Sequence, residues 1–135
     1  MSDHKLGVAI VGCGFMGRRH LLGFAALHKA GVLKGEVVAL LDINKEVADK
    51  VADEAFELLG KRPAVYTSLD EMMKDPAVEA IDIVTDPRTH HTIAVQAMEA
   101  GRHVLCEKPL SLTIKTGQIM LDAAKRTGMT LATAE

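Results

Sequence analysis

Leu6-Gly7-Val8-Ala9-Ile10-Val11-Gly12-Cys13-Gly14-Phe15-Met16-Gly17 sets an apolar run of strand length directly against a G-x-G-x-x-G turn, and a helical pattern follows from Phe15. With 11 glycines in 135 residues the spacing alone also arises by chance, and a methyltransferase loop resembles it, so the flanking strand and helix carry the inference. Gly12 lets the chain reverse out of the strand, Gly14 has no β-carbon to hold a pyrophosphate away, and Gly17 lets helix and strand close up. The helix that follows turns unpaired N–H groups and the positive end of its dipole toward the phosphates. The stretch reads as a dinucleotide-binding turn, against the alternative of a tight strand-to-helix turn with no ligand.

Outward from that turn, strand and helix patterns alternate to the end of the chain without repeats or a Pro/Gly-rich linker, which predicts an α/β domain with parallel strands. Strands are expected at Lys5 to Val11, Glu36 to Leu41, Ala64 to Tyr66, Ala80 to Thr85, His103 to Cys106, and from Met129 to Ala132. Helices are expected from Phe15 to about Lys29, with Phe24, Ala25 and Leu27 among its apolar positions and Gly31 ending it, and from about Lys45 to Leu59, on a stripe of Val47, Val51, Ala55 and Leu58. Two more run from about Thr92 to Ala100 and from about Leu112 to Arg126. Ser68-Leu69-Asp70-Glu71 has the spacing of a capping box for a brief helix ending near Asp75-Pro76. Right-handed crossovers then give a doubly wound parallel sheet of order 3-2-1-4-5-6 in a three-layer α/β/α sandwich, with the ligand crevice at the strands' carboxyl ends.

Composition bounds the function. The length suits one domain, spanning 1–135, with a real core. Sixteen Lys and Arg against 18 Asp and Glu give a net charge of −2 with no basic run, and three Phe, one Tyr and no Trp leave no stacking platform, so a nucleic-acid partner is not expected. The N-terminal apolar run is too short for a signal-peptide core, and no stretch approaches the ~20 apolar residues of a membrane span. A soluble, cytoplasmic protein without membrane association is the expectation. Cys13 and Cys106 form no disulfide framework and no metal spacing, so reduced thiols and no metal site are expected.

Three places carry chemistry. Asp42 lies 25 positions after Gly17 at the end of the second strand, where a carboxylate accepts hydrogen bonds from an adenosine ribose and repels a 2′-phosphate. That repulsion is about 1 kcal/mol at 4 Å in water and about 4 at an effective dielectric of 20. NAD is favoured, and the nearby Lys45 keeps NADP open. Thr85-Asp86-Pro87-Arg88-Thr89-His90-His91 leaves the fourth strand beside the topological switch; either histidine also reads as a helix-start residue facing water. Glu107-Lys108-Pro109 closes the fifth strand. Neighbouring strand residues point to opposite faces, so Glu107 and Lys108 serve different sides rather than each other. A lysine of ordinary pKa is protonated near neutrality, which suits donation to a developing alkoxide better than proton removal, although on spacing alone a surface lysine at a strand end is the more common case.

Taken together, Ala9 to His20, Thr85 to His90, and Ala100-Gly101-Arg102-His103-Val104-Leu105-Cys106-Glu107-Lys108-Pro109-Leu110 resemble the N-terminal domain of the Gfo/Idh/MocA oxidoreductases, over nearly the whole chain. The resemblance implies a Rossmann domain that binds NAD or NADP, and hydride transfer at a carbon of a sugar, cyclitol or related polyol. It places Gly12, Gly14, Phe15, Met16 and Gly17 at the pyrophosphate and Asp42 at the ribose. Thr85, Pro87 and His90 fall near the nicotinamide, with His91 competing with His90 for register. Glu107 and Lys108 match the signature pair, with Lys108 the catalytic contact to substrate and nicotinamide and a cis bond before Pro109. Similar proteins continue into a second α/β domain that supplies most of the substrate pocket and further acid/base residues, and a homo-oligomer is expected.

Three functions follow as alternatives: the cofactor-binding part of a dehydrogenase that binds NAD without turnover by itself, a free-standing nucleotide-sensing module, and a methyltransferase-like domain favouring S-adenosylmethionine. A free-standing module should carry a polar outer face, and a domain with a missing partner an exposed apolar patch.

Overall fold

A computed structural model describes residues 3–134. Met1, Ser2 and Glu135, which the sequence reading includes in the domain, lie outside the described residues. The six strands are β1 (Leu6–Val11), β2 (Gly35–Leu41), β3 (Ala64–Tyr66), β4 (Ala80–Ile83), β5 (His103–Glu107) and β6 (Leu131–Ala134). All pair in parallel in the order β3-β2-β1-β4-β5-β6, as expected. The order reverses between β1 and β4, so the crevice lies where Val11 and Ile83 end side by side.

Helices α1 (Phe15–Lys29), α2 (Lys45–Leu59), α3 (Leu69–Met72), α4 (His90–Glu99) and α5 (Ile114–Thr127) connect the strands. Alternation along the strands, shifted by one residue at Val38 of β2, feeds two cores. Ile10, Val37 and Leu40 pack with Leu21 of α1 and with Ala48, Val51, Ala52 and Ala55 of α2. On the other face Ala9, Val11, Ile81, Ile83, Val104 and Cys106 pack with Met72, Ala94, Met98, Met120 and Ala123 of α3, α4 and α5. Helices on both faces explain why the central strands are almost wholly apolar. Among the described residues no helix is long and apolar enough to cross a membrane.

Several boundaries differ from expectation for local reasons. β4 ends at Ile83 rather than Thr85, although Val84 N–H still donates to Val11 at 2.8 Å. Asp86 caps a 3-10 turn, Pro87–Thr89, that runs straight into α4, so the helix starts at His90 instead of Thr92. α5 starts at Ile114 because Thr113 and Thr116 cap each other reciprocally, a box the sequence reading passed over. The expected box at Ser68 is half made: Ser68 accepts from Glu71 N–H, while the Glu71 carboxylate turns to Lys74 at 2.8 Å. In α1 the buried positions are Gly17 and Leu21; Leu27 stays 48% exposed. In α2 the small Ala48 and Ala52 are buried, whereas Leu58 is exposed, because a helix lying flat on a sheet admits alanine at its closest approach.

Candidate functional site at the strand carboxyl ends

The glycine turn is built on three different constraints. Gly12 has φ +105°, and a β-carbon there would lie 2.7 Å from the Val84 carbonyl oxygen. At Gly17 it would lie 1.9 Å from the Gly12 oxygen, so α1 approaches β1 this closely only with glycine. Gly14 is different. Its φ is −75°, open to any residue, and a β-carbon would meet nothing within 4 Å. The fold itself has no need of glycine at position 14.

Behind that opening stands the N-terminus of α1, with no side-chain cap and no acidic residue in its first turn. The first N–H groups of any helix lack intrahelical acceptors, so the positive end of the dipole is left open beside Gly14, which lines the crevice. The crevice holds about 410 Å³ and is lined by Gly12, Gly14, Asp42, Ile43, Val84 and Thr85, with Asp86, Thr89 and Ile93 closing the far side. Its shape and donor set fit a dinucleotide: open backbone at the phosphates, a carboxylate on one flank and apolar walls for the rings.

Asp42 is fixed by the backbone on both sides. Its Oδ2 accepts from Cys13 N–H at 2.9 Å and its Oδ1 from Asn44 N–H at 2.8 Å, which ties the end of β2 to the glycine turn. Lys45, which kept NADP open, places its ammonium 2.6 Å from Asp49 on the next turn of α2. Cys13 is buried beside Asp42, and burial, then the Asp42 charge, push its thiol up to about 12.

On the far wall, Thr89 donates to the Asp86 carbonyl at 2.7 Å, so the 2.7 Å contact between the Thr85 and Thr89 hydroxyls has Thr85 as donor. Pro87 is half-buried and outside the crevice lining. His90 is the buried member of the histidine pair and His91 the half-buried one. The His90 ring is enclosed: Nδ1 lies 2.9 Å from the Pro109 carbonyl and Nε2 3.1 Å from that of Thr85. It joins the two loops and does not face the crevice. Phe15 and Met16 are exposed at the start of α1, Phe15 with the Arg19 guanidinium 5.8 Å above its ring.

Glu107 and Lys108 part as the strand geometry requires. The Glu107 carboxylate turns under α1 to His20 Nε2 at 2.8 Å, and Lys108 is exposed, forming no ion pair among the described residues. The Lys108–Pro109 bond is cis. His20 and Asp82 received no role from the sequence. An aspartate in the middle of Ala80-Ile81-Asp82-Ile83 was the available signal, since a buried carboxylate needs a partner.

An open parallel sheet with a glycine turn at its switch point and an acid at the neighbouring strand end defines a dinucleotide-binding α/β domain. Residues 6–135 match the profile of the Gfo/Idh/MocA oxidoreductase family, described as an NAD-binding Rossmann fold, and the chain belongs to that family. The levoglucosan dehydrogenase of Pseudarthrobacter phenanthrenivorans is 32% identical over 121 residues, which cover 90% of this chain and 30% of that protein. The inositol 2-dehydrogenase of Azotobacter vinelandii is 34% identical over 127 residues, 93% of this chain and 35% of that protein. Among solved structures, GenD2 from gentamicin A biosynthesis, in complex with NAD, superposes with a TM-score of 0.82 at 34% identity, over 97% of this chain and 34% of that one. The chain thus spans about a third of the length of the relatives it matches.

Proposed function

We propose that this chain forms the NAD-binding part of a dehydrogenase that moves a hydride between a nicotinamide and a sugar, cyclitol or related polyol. The observation that carries the reading is the empty space at Gly14 in front of an uncapped helix N-terminus, with Asp42 fixed on the flank. The dehydrogenase relatives, acting by their names on levoglucosan and inositol, support the substrate class.

When bound, the dinucleotide supplies the hydride acceptor or donor. The chain's own residues do the rest of the holding: Gly12, Gly14, Phe15, Met16 and Gly17 offer backbone to the pyrophosphate, Asp42 accepts from the ribose hydroxyls, and Thr85 lines the opposite wall. Pro87 and His90 shape that wall from behind. Glu107 turns inward, leaving Lys108 as the exposed cation that orients a substrate hydroxyl and donates to a developing alkoxide. Proton removal belongs to a residue outside this chain.

Phe24 and Leu27 of α1 and Leu105 of β5, with His20 and Asp82 at its polar edge, border an open cavity of about 170 Å³ between α1 and β5. This apolar face supports a domain that docks against a further unit, rather than a free-standing module with a polar surface. Calorimetric titration of the chain with NAD, NADP and S-adenosylmethionine tests the reading, with NAD expected to bind most tightly and no polyol to be turned over. Tighter binding of S-adenosylmethionine, or steady-state polyol oxidation by these residues alone, overturns it.

A further inference from the structure

Across the α1 face of the sheet, three side chains from three elements form a continuous chain. His20 Nδ1 lies 2.6 Å from Asp82 Oδ2, and His20 Nε2 lies 2.8 Å from Glu107 Oε2. The chain is shielded: the Asp82 side chain is 2% exposed, that of Glu107 14% and that of His20 17%. A neutral imidazole has one N–H and could satisfy only one of these acceptors, whereas an imidazolium donates to both. Burial opposes that charge, but the hydrogen bonds and charges of Asp82, then of Glu107, outweigh it and raise the His20 pKa above its ordinary value.

The register explains the meeting. Asp82 sits beside Ile10 on β1 and Leu105 on β5, pointing to the α1 side, and Glu107 lies two residues beyond Leu105 on the same face. Among the described residues Asp82 Oδ1 is buried with no hydrogen-bond partner, so His20 is the one side chain that Asp82 meets, through Oδ2. Burial, with Glu107 adding to it and His20 opposing, holds the Asp82 carboxyl above the usual carboxylate range. Other charges near α1 face elsewhere: Arg18 pairs with Glu54 of α2, and Arg19 lies over Phe15. On β5, Cys106 points into the opposite core.

Glu107 passes the constraint on. Its second oxygen, Oε1, accepts the backbone N–H of Lys108 at 3.1 Å. From the other side of the loop, His90 reaches the Pro109 carbonyl. Lys108 therefore sits between two histidine contacts, and only the His20 side runs through carboxylates whose grip depends on a proton.

We propose that His20 is a positioning residue for Lys108: bridging Asp82 and Glu107 as an imidazolium, it fixes Glu107, and Glu107 fixes the backbone at Lys108. Loss of the His20 proton then frees Glu107 and loosens the segment that carries the exposed ammonium. The consequence for turnover rests on the role proposed for Lys108, whereas the coupling itself does not.

Nuclear magnetic resonance of the 15N-labelled full chain tests it between pH 5 and 10. The His20 ring should be protonated at pH 6. As it titrates, the Lys108 amide should shift with the same midpoint and its order parameter fall from about 0.85 toward 0.6. The amides of Ala9 and Ile10 in the core should stay rigid throughout. His20→Phe, which keeps ring volume but removes both donors, should give a mobile Lys108 amide already at pH 6. A neutral His20 at pH 6, a Lys108 amide that stays flat while His20 titrates, or an unchanged Lys108 in His20→Phe overturns the proposal. If the variant does not fold, the wild-type titration decides. NAD calorimetry on the same samples separates the two readings, since coupled titration without NAD binding sinks the cofactor assignment alone.

Discussion

The Cys13 N–H donates to Asp42 Oδ2 at 2.9 Å, so the carboxylate at the end of β2 is held by the glycine turn itself. With Asn44 N–H on its other oxygen, the group cannot swing aside to admit a second anion. Asp42→Ala should therefore lower the ratio of NAD to NADP affinity by about fivefold or more, in line with removal of about 1 to 4 kcal/mol of repulsion. Calorimetry with both cofactors measures it. An unchanged ratio removes Asp42 from the ribose site.

Gly14 and Gly17 separate ligand requirement from fold requirement. Gly17→Ala places a methyl group 1.9 Å from the Gly12 oxygen and should cost about 1 to 3 kcal/mol of stability or more, as overpacking does. Gly14→Ala meets nothing, and the expected cost is about 1 kcal/mol or less for a poorer N-cap. Denaturant melts should thus distinguish the two, while both variants lose NAD affinity. A Gly14→Ala protein that binds NAD normally would show that no phosphate lies over that position.

Most of the frame could be read from the sequence because it rests on local signals. The helices Phe15–Lys29 and Lys45–Leu59 were legible from period and punctuation, and the strand order from the rule for parallel crossovers. The glycine turn and Asp42 were legible for the same reason: each constraint is local to a turn or a strand end. What escaped was tertiary. Nothing near His20 in the sequence says that it faces Asp82, 62 residues away, and Glu107, 87 away. The orientation of His90 likewise depends on Pro109, on a loop 19 residues later. The start of α4 was misplaced because a 3-10 turn carries no apolar period to mark it.

Glu79 should govern part of the acid sensitivity. Its Oε2 accepts from Gly7 N–H at 2.7 Å, pinning the start of β1 to the start of β4, and His4 lies beside the same carboxylate. The Gly7 hydrogen bond, then His4, hold its carboxyl below the ordinary value of 4.5. A depressed carboxyl contributes stability that is present above its ordinary pKa and lost as pH falls through the depressed one. Glu79→Gln keeps an acceptor for Gly7 but does not titrate. The difference in melting temperature between wild type and Glu79→Gln should shrink as pH falls below 4.5; a constant difference from pH 4.5 down to pH 2 refutes the assignment.

The two thiols should be silent in the folded protein. Burial comes first in raising both Cys13 and Cys106 to about 12, with Asp42 adding to it at Cys13 and Asp82 and Glu107 at Cys106. At pH 8 only about one thiol in ten thousand is then ionised, and the thiolate is the form that attacks iodoacetamide and displaces iodide. Alkylation therefore has to pass through opened states in which the thiols are exposed and titrate near 8.5. Ligand that binds only the closed turn suppresses the opening of Cys13 in proportion to 1 + [L]/Kd, so NAD at a hundred times its Kd should slow Cys13 labelling about a hundredfold. Mass spectrometry of each cysteine peptide over time reads this directly. Rapid labelling of Cys13 in the native protein, or a rate indifferent to saturating NAD, would mean that the turn opens without disturbing the cofactor site.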